Sequence, residues 1–303
     1  MSYNILVTGA AGFIGSNLVD YLLKNTNWSI TGIDNLSTGN IENLDFALKS
    51  KKFDFLNQNL IDLKSIKKYH YIFHLAALPR IQPSFDLINE HIENNLCAGI
   101  KLIELMIKEK HFPKLIYSGS SSIYGNPSNF PTNESTTINC MNPYAFQKYE
   151  FERYLELIQK KYPIKYCTLR YFNPYGPRSF NPNNKFNAYS SVIGIFLDRK
   201  KNKKPLYVTG NGSQSRDFIH VEDIARANYL AAIKDDFIND NVNLGAGKTI
   251  PIIDIAKMIS DNIKFIDPRL GEAETTHADI KKAKLKLNWE PKLNLYNYIN
   301  SLK

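Results

Sequence analysis

The sequence predicts an α/β protein built on a doubly wound parallel sheet, followed by a smaller C-terminal substrate-binding domain. Three observations carry this. Short apolar runs alternate with segments of helical periodicity over the first 170 residues. A glycine-rich turn joins the first run to the first helical segment. An acidic residue closes the second run, about twenty residues past the glycines.

"YNILVT" (3–8) is the first strand, and "GAAGFIGSNLVDYLLKN" follows with Phe13, Ile14, Leu18, Tyr21 and Leu22 at helical spacing. Gly9, Gly12 and Gly15 form GxxGxxG between them, a spacing that lets backbone amides approach a pyrophosphate at a helix N-terminus. The second strand, "SITGID", ends at Asp34, whose carboxylate suits ribose hydroxyls and repels a 2′-phosphate. No arginine follows directly in "DNLSTGN", so the pattern favours NAD over NADP. Further strands are expected at "KFDFLNQN" near 52, "YIFHLAAL" near 71, "KLIYSGSS" near 114 and "KYCTLRYF" near 165, with helices over 86–110 and 143–161. This is the Rossmann arrangement, expected over residues 1–170 with a return at about 217–247. Residues 171–303 then form mainly the second, substrate-binding domain. Ligands bind at the carboxyl ends of such strands, where Ser120, Ser121 and Ser122 fall.

The helix beginning at "NPYAFQK" carries Tyr144 and Lys148 four residues apart, hence on one face. A phenol is a poor base at neutral pH, and a nearby ammonium favours its phenolate, so Lys148 is expected to make Tyr144 acidic enough for proton transfer.

The 303 residues carry a formal charge of +9, with lysine runs at 198–204 and 281–286. These lack interleaved aromatics, so they read as solvated faces rather than a nucleic-acid site. No apolar stretch is long enough for a membrane span, and "MSYNILVTG" is unlike a secretory leader, so a cytoplasmic protein is expected. Cys97, Cys140 and Cys167 stand apart without metal-ligand spacing, and no metal is expected.

Taken in order, "VTGAAGFIGSNLVDYLL", "HLAAL", "YSGSSSIYG", "NPYAFQK", "LRYFNPYGPR", "SRDFIHVEDIARA" and "ADIKKAKLKLNWEP" resemble the extended short-chain dehydrogenase/reductases, within them the NAD-dependent nucleotide-sugar epimerase/dehydratase group. The resemblance spans nearly the whole chain. It implies that Phe13 and Ile14 contact the NAD pyrophosphate and that Asn35, Ser37, Thr38, Gly39, Leu75, Ala76, Ala77 and Asn94 line the cofactor. Lys148 would hold the nicotinamide ribose, and Phe172 would face the nicotinamide. Asn59-Leu60 stands where members usually carry Asp-Ile or Asp-Leu against the adenine; Asn59 accepts there without charge. Ser120 would be the catalytic hydroxyl and Tyr144 the base.

In the 4,6-dehydratases of this group, the catalytic hydroxyl residue is followed by Asp-Glu. Here Ser121 and Ser122 occupy those positions, and neither is a useful acid or base. What remains is 4-epimerisation of a UDP-hexose through a transient 4-keto sugar. The resemblance further implies Asn173, Arg216 and Arg269 at the diphosphate, Glu272 at the nucleoside ribose, and Val192 and Tyr207 in "AYSSVIGIF" and "KPLYVTG" around the base. Thr276 stands at the pocket floor, where a small residue admits N-acetylated sugars, and "LPRIQPS" (78–84) is expected as a loop lining the sugar. A homodimer is implied, joined through the helices at about 90–110 and 144–161. The alternatives are a 4-keto reductase or dehydratase and a non-catalytic NAD-binding scaffold.

Overall fold

The computed structural model describes residues 2–181 and 191–302. Seven parallel strands form the central sheet: β1 (Asn4–Thr8), β2 (Ser29–Asp34), β3 (Phe53–Asn57), β4 (Tyr71–His74), β5 (Lys114–Ser120), β6 (Tyr166–Tyr171) and, after four short strands, β11 (Asp240–Leu244). The short strands are β7 (Pro174–Tyr175), β8 (Leu206–Thr209), β9 (Ser215–Arg216) and β10 (Ile219–His220); β12 (Ile250–Pro251) and β13 (Ile263–Ile266) follow. Spatial order is β3-β2-β1-β4-β5-β6-β11, so the connections reverse direction between β1 and β4. That reversal opens the crevice in which doubly wound sheets hold ligands.

Side-chain alternation explains why the strands read as continuous apolar runs. Ile5 and Val7 of β1 enter one core while Leu6 enters the other; Phe73 and Ile72 divide likewise in β4. One face is covered by α1 (Phe13–Asn25) and α7 (Val221–Ile233), the other by α4 (Ala98–Glu109) and α5 (Pro143–Ile158). A third core, including Tyr175, Phe196, Leu206, Ile255 and Leu295, unites α6 (Val192–Lys201), α8 (Ile252–Ile259) and α10 (Leu295–Ser301) with β8.

The chain rejoins the sheet through α7 and β11, and again through α9 (Lys281–Leu287), because Ala283, Leu287 and Trp289 complete the α1/α7 core. Asp223 of α7 fixes this last passage, accepting from Lys292 N and Leu293 N at 2.9 Å.

The helix expected over 86–110 runs from Ile88 to Glu109 with a π-helical turn inside it. After α2 (Ile81–Asp86) and α3 (Ile88–Ile92), Glu93–Cys97 forms a π-helical turn before α4. The expected loop 78–84 is helical from Ile81. The π-turn supplies the reason: it directs buried Asn95 at Leu78, whose N–H donates to Asn95 Oδ1 at 2.7 Å and whose carbonyl accepts from Asn95 Nδ2 at 3.2 Å. That clamp ends the extended chain and lets α2 begin. Asn95 also donates to Gln147 Oε1 at 2.9 Å, tying the turn to α5.

Candidate active site

One cleft of about 910 Å³ runs across the carboxyl ends of the strands, from the glycine turn to the third core. At its first end, Gly9 adopts φ +70°, and a Cβ there would lie 2.8 Å from Ala76 N. A Cβ on Gly15 would lie 2.0 Å from the Gly9 carbonyl oxygen. Only glycine permits this approach of helix to strand. Gly12 caps α1 without any side-chain hydrogen bond, so the first-turn amides stay open to a ligand.

Asp34 ends β2 with both oxygens directed inward, accepting from Ala11 N at 3.0 Å and Leu36 N at 2.8 Å. Burial pushes its carboxyl up, and those backbone donors oppose the shift. Each oxygen keeps lone-pair capacity for a further donor. Thr8 Oγ1 receives Leu75 N and Ala76 N at 3.1 Å, which fixes the turn after β4. Asn35, Ser37, Thr38, Asn59, Leu60, Leu75, Ala76, Ala77 and Asn94 all line this half. The Asn59 carbonyl already accepts from the Asn35 amide, so the two side chains act as one unit.

Two expected cofactor contacts are not on the cleft wall. Gly39 lies behind it, packed on Ala11 and Asp34 Oδ1. Phe172 is buried with Ile123, Tyr124 and Ala278, while Tyr171 and Asn173 face the cleft, because successive residues at the strand end point to opposite sides.

The middle of the cleft gathers Ser120, Tyr144 and Lys148. Ser120 ends β5 and caps a short 3₁₀ turn, its Oγ accepting Ser122 N at 3.2 Å and lying 2.8 Å from Ser122 Oγ. The serine cluster is therefore a fixed turn rather than a loose loop. Asn142 caps α5 through Ala145 N at 2.8 Å with Pro143 in the first turn, which sets where Tyr144 emerges. Burial raises the Tyr144 phenol, while the Ser120 hydroxyl and the Arg80 guanidinium pull it down.

Lys148 is expected to supply that cation. Its ammonium donates to the Ser118 carbonyl at 2.9 Å and lies 5.0 Å over the Tyr117 ring. Burial lowers it to about 8 against the opposing charge of Glu152.

At the far end, Val192, Tyr207, Arg216, Arg269, Glu272, Asn173 and Thr276 line the cleft. Glu272 stands 3.8 Å from both Arg216 and Arg269, one carboxylate between two guanidiniums, so positive charge is left over for an anion. One expectation changes here. Both Asn173 amide hydrogens are committed, to Asp217 O at 3.0 Å and Thr276 Oγ1 at 2.8 Å, so that side chain has no donor for phosphate. Tyr207 has one ring face covered by Arg199 at 4.2 Å, leaving the other for stacking. Of "AYSSVIGIF" (188–196), residues 188–190 lie outside the described residues.

Residues 5–245 match the model of the NAD dependent epimerase/dehydratase family. The chain belongs to that family. It is 32% identical over 302 residues to the UDP-glucose 4-epimerase of Mycolicibacterium smegmatis, covering 96% of this chain and 94% of that one. Among solved structures, the UDP-N-acetylglucosamine 4-epimerase of Methanobrevibacter ruminantium, in complex with UDP-N-acetylmuramic acid, superposes with a TM-score of 0.90 at 34% identity, covering 99% and 97% of the two chains. The UDP-glucuronic acid 4-epimerase of Bacillus cereus, in complex with UDP-glucuronic acid and NAD, gives 0.88 at 29% identity, covering 99% and 100%.

NAD is the cofactor of this epimerase/dehydratase family member, and the residues present fit it. The uncapped α1 N-terminus makes an anion cradle, and the Gly9–Gly15 approach that forms it leaves no space for a Cβ at either position. Two further arginines reach the cleft: Arg178, to which the sequence assigns no role, and Arg80, from the 78–84 segment expected to line the sugar. Arg178 of "YGPR" pairs with Asp20 of α1 at 2.7 Å and keeps a buried Nη1 without a hydrogen-bond partner among the described residues. Arg80, ahead of α2, adopts φ +102° and ψ 143°. That backbone is close to glycine-only territory and costs about 1–3 kcal/mol for other residues.

Proposed function

We propose that this protein interconverts the C4 epimers of a UDP-hexose, UDP-glucose and UDP-galactose together with UDP-N-acetylglucosamine and UDP-N-acetylgalactosamine. The observation that carries this is the meeting of Ser120, Tyr144 and Lys148 in one cleft between a dinucleotide cradle and an arginine-rich end. The next two positions, Ser121 and Ser122, add no acid or base for elimination.

Tyr144 takes the proton of the sugar 4-hydroxyl, and Ser120 hydrogen-bonds the same oxygen and relays that proton. NAD held in this cradle would supply the redox chemistry that inversion at C4 requires. Lys148 anchors the nicotinamide ribose while Asp34 holds the adenosine ribose. Arg216 and Arg269 hold the diphosphate and let the sugar turn at a fixed distance from Tyr144. Thr276, small and held by Asn173 and Asp217 N, leaves room for a 2-acetamido group. The lobe of the third core carries the nucleotide half of the substrate. Phe146 and Leu157 are more than half exposed and share a face of α5, as Ile88 and Ile92 do on α3, which supports a homodimer closed through these helices.

The test is incubation with each UDP-sugar without added reductant, followed by separation of C4 epimers. Product from both sugars supports the full reading. Product from UDP-glucose alone removes the Thr276 argument, and stoichiometric consumption of NADH by a 4-keto sugar would replace the epimerase with a reductase. Tyr144→Phe is expected to lose turnover and keep NAD.

A further inference from the structure

Arg80 is the least satisfied charge in the cleft. Its Nε is buried without a hydrogen-bond partner, and among the described residues no ion pair neutralises the guanidinium. It stands in a backbone conformation that resists any side chain, directly after Leu78-Pro79, where the Asn95 clamp pins Leu78. The start of α2 is docked on the start of α5, Tyr144 N donating to Ser84 Oγ at 3.2 Å. The loop 269–272 closes over both, since Gln82 donates to Leu270 O at 2.8 Å and Asn142 to Gly271 O at 3.0 Å. Strain, burial and three-way docking fix this guanidinium at the junction of α2 and α5, where Arg80 and Tyr144 line the same cleft and act on each other electrostatically.

We propose that Arg80 is a positioning residue for proton transfer, a fixed cation that favours the phenolate of Tyr144 over the phenol. This rests on the reading of Tyr144 as the base. A buried phenolate and a buried, unpaired guanidinium each lack a counter-charge, and each supplies the other's. Facing the pair are Ser120 and Tyr117 from β5, and Glu272 and Arg269 from the 269–272 loop. Glu272 also acts on Arg80, but its ion pairs are with Arg216 and Arg269, so the Tyr144 phenolate is the further anion that Arg80 can meet. Lys148, engaged by Ser118 and Tyr117, is left to the cofactor.

The informative variant is Arg80→Gly, which removes the charge and also relieves the backbone, so its melting temperature is expected to match or exceed that of the parent protein. Its kcat profile on the UDP-hexose that the parent turns over is expected to narrow from the acid side. The acid limb moves up by at least about one pH unit, with roughly tenfold loss at neutral pH that recovers as pH rises. Arg80→Lys keeps the limb near its original place. Ultraviolet titration of the NAD-loaded protein, taken as the difference from Tyr144→Phe, reads the phenolate directly and should move with the limb. An unmoved limb and titration in Arg80→Gly, with kcat either unchanged or lowered equally at all pH values, overturns the proposal. If that occurs while Tyr144→Phe is inactive, only the role of Arg80 falls. If Tyr144→Phe retains turnover, the base assignment falls first.

Discussion

Glu152 follows Lys148 by one helical turn on α5 and closes a buried ion pair with Arg170 of β6, Nη2 to Oε2 at 2.7 Å. Arg170 Nε also donates to Oε1 and Oε2 at 3.3 and 3.2 Å, and Arg170 Nη1 to Tyr124 Oη at 2.8 Å. Sheet and helix are thus locked just behind Lys148, and Glu152 sustains the Lys148 ammonium.

Glu152→Gln leaves Arg170 as a buried, uncompensated charge. Destabilisation of about 3–5 kcal/mol is expected in urea unfolding. The double variant Glu152→Leu with Arg170→Met is expected to recover most of it. A single-variant loss below about 1 kcal/mol would show that the pair contributes little.

Lys148 titrates at about 8 when folded, below its unfolded value near 10.4. The ammonium is the form that bonds Ser118 and, in the proposed mechanism, the nicotinamide ribose, so kcat should decline above about pH 8. Lys148→Arg, charged throughout, should lose that limb. The stability effect has the opposite slope. Between about pH 8 and 10.4 the unfolded chain binds more protons, so the Lys148 contribution to unfolding free energy rises with pH, by up to about 3 kcal/mol. The difference between parent and Lys148→Met unfolding across that window measures it.

Gly15→Ala places a methyl against the Gly9 carbonyl oxygen and must part α1 from β1. Loss of NAD affinity by more than tenfold and a lower melting temperature are expected. Gly210→Ala is the control, since its φ of +55° is mildly strained but the nearest atom, Pro268 Cγ, is 3.7 Å away. That variant should bind NAD normally by calorimetry and melt only slightly earlier, consistent with about 1 kcal/mol of backbone cost.

The parts of this site legible in the sequence are those set by local geometry. The glycine turn, Asp34 and the Tyr144–Lys148 spacing depend on a few neighbouring residues, and strands buried on both faces announce themselves as apolar runs. The rest depends on partners brought from afar. Asn173 spends its amide on Thr276, 103 residues later, and Arg178 pairs with Asp20, 158 residues earlier. Arg80 acquires its place from a π-turn and a positive φ that no periodicity foretells. Phe172 is excluded by the pleat at the end of β6, where a shift of one residue decides which side chain meets the ligand.

The proposed epimerisation requires that the hydrogen at C4 leave and return within one closed site, without exchange with solvent. UDP-glucose and UDP-N-acetylglucosamine carrying deuterium at C4, incubated with the NAD-loaded protein and analysed by mass spectrometry, test it most directly. C4 epimers that retain the deuterium in full are expected. Epimers that have lost it to solvent, or no epimers from either sugar, would contradict it.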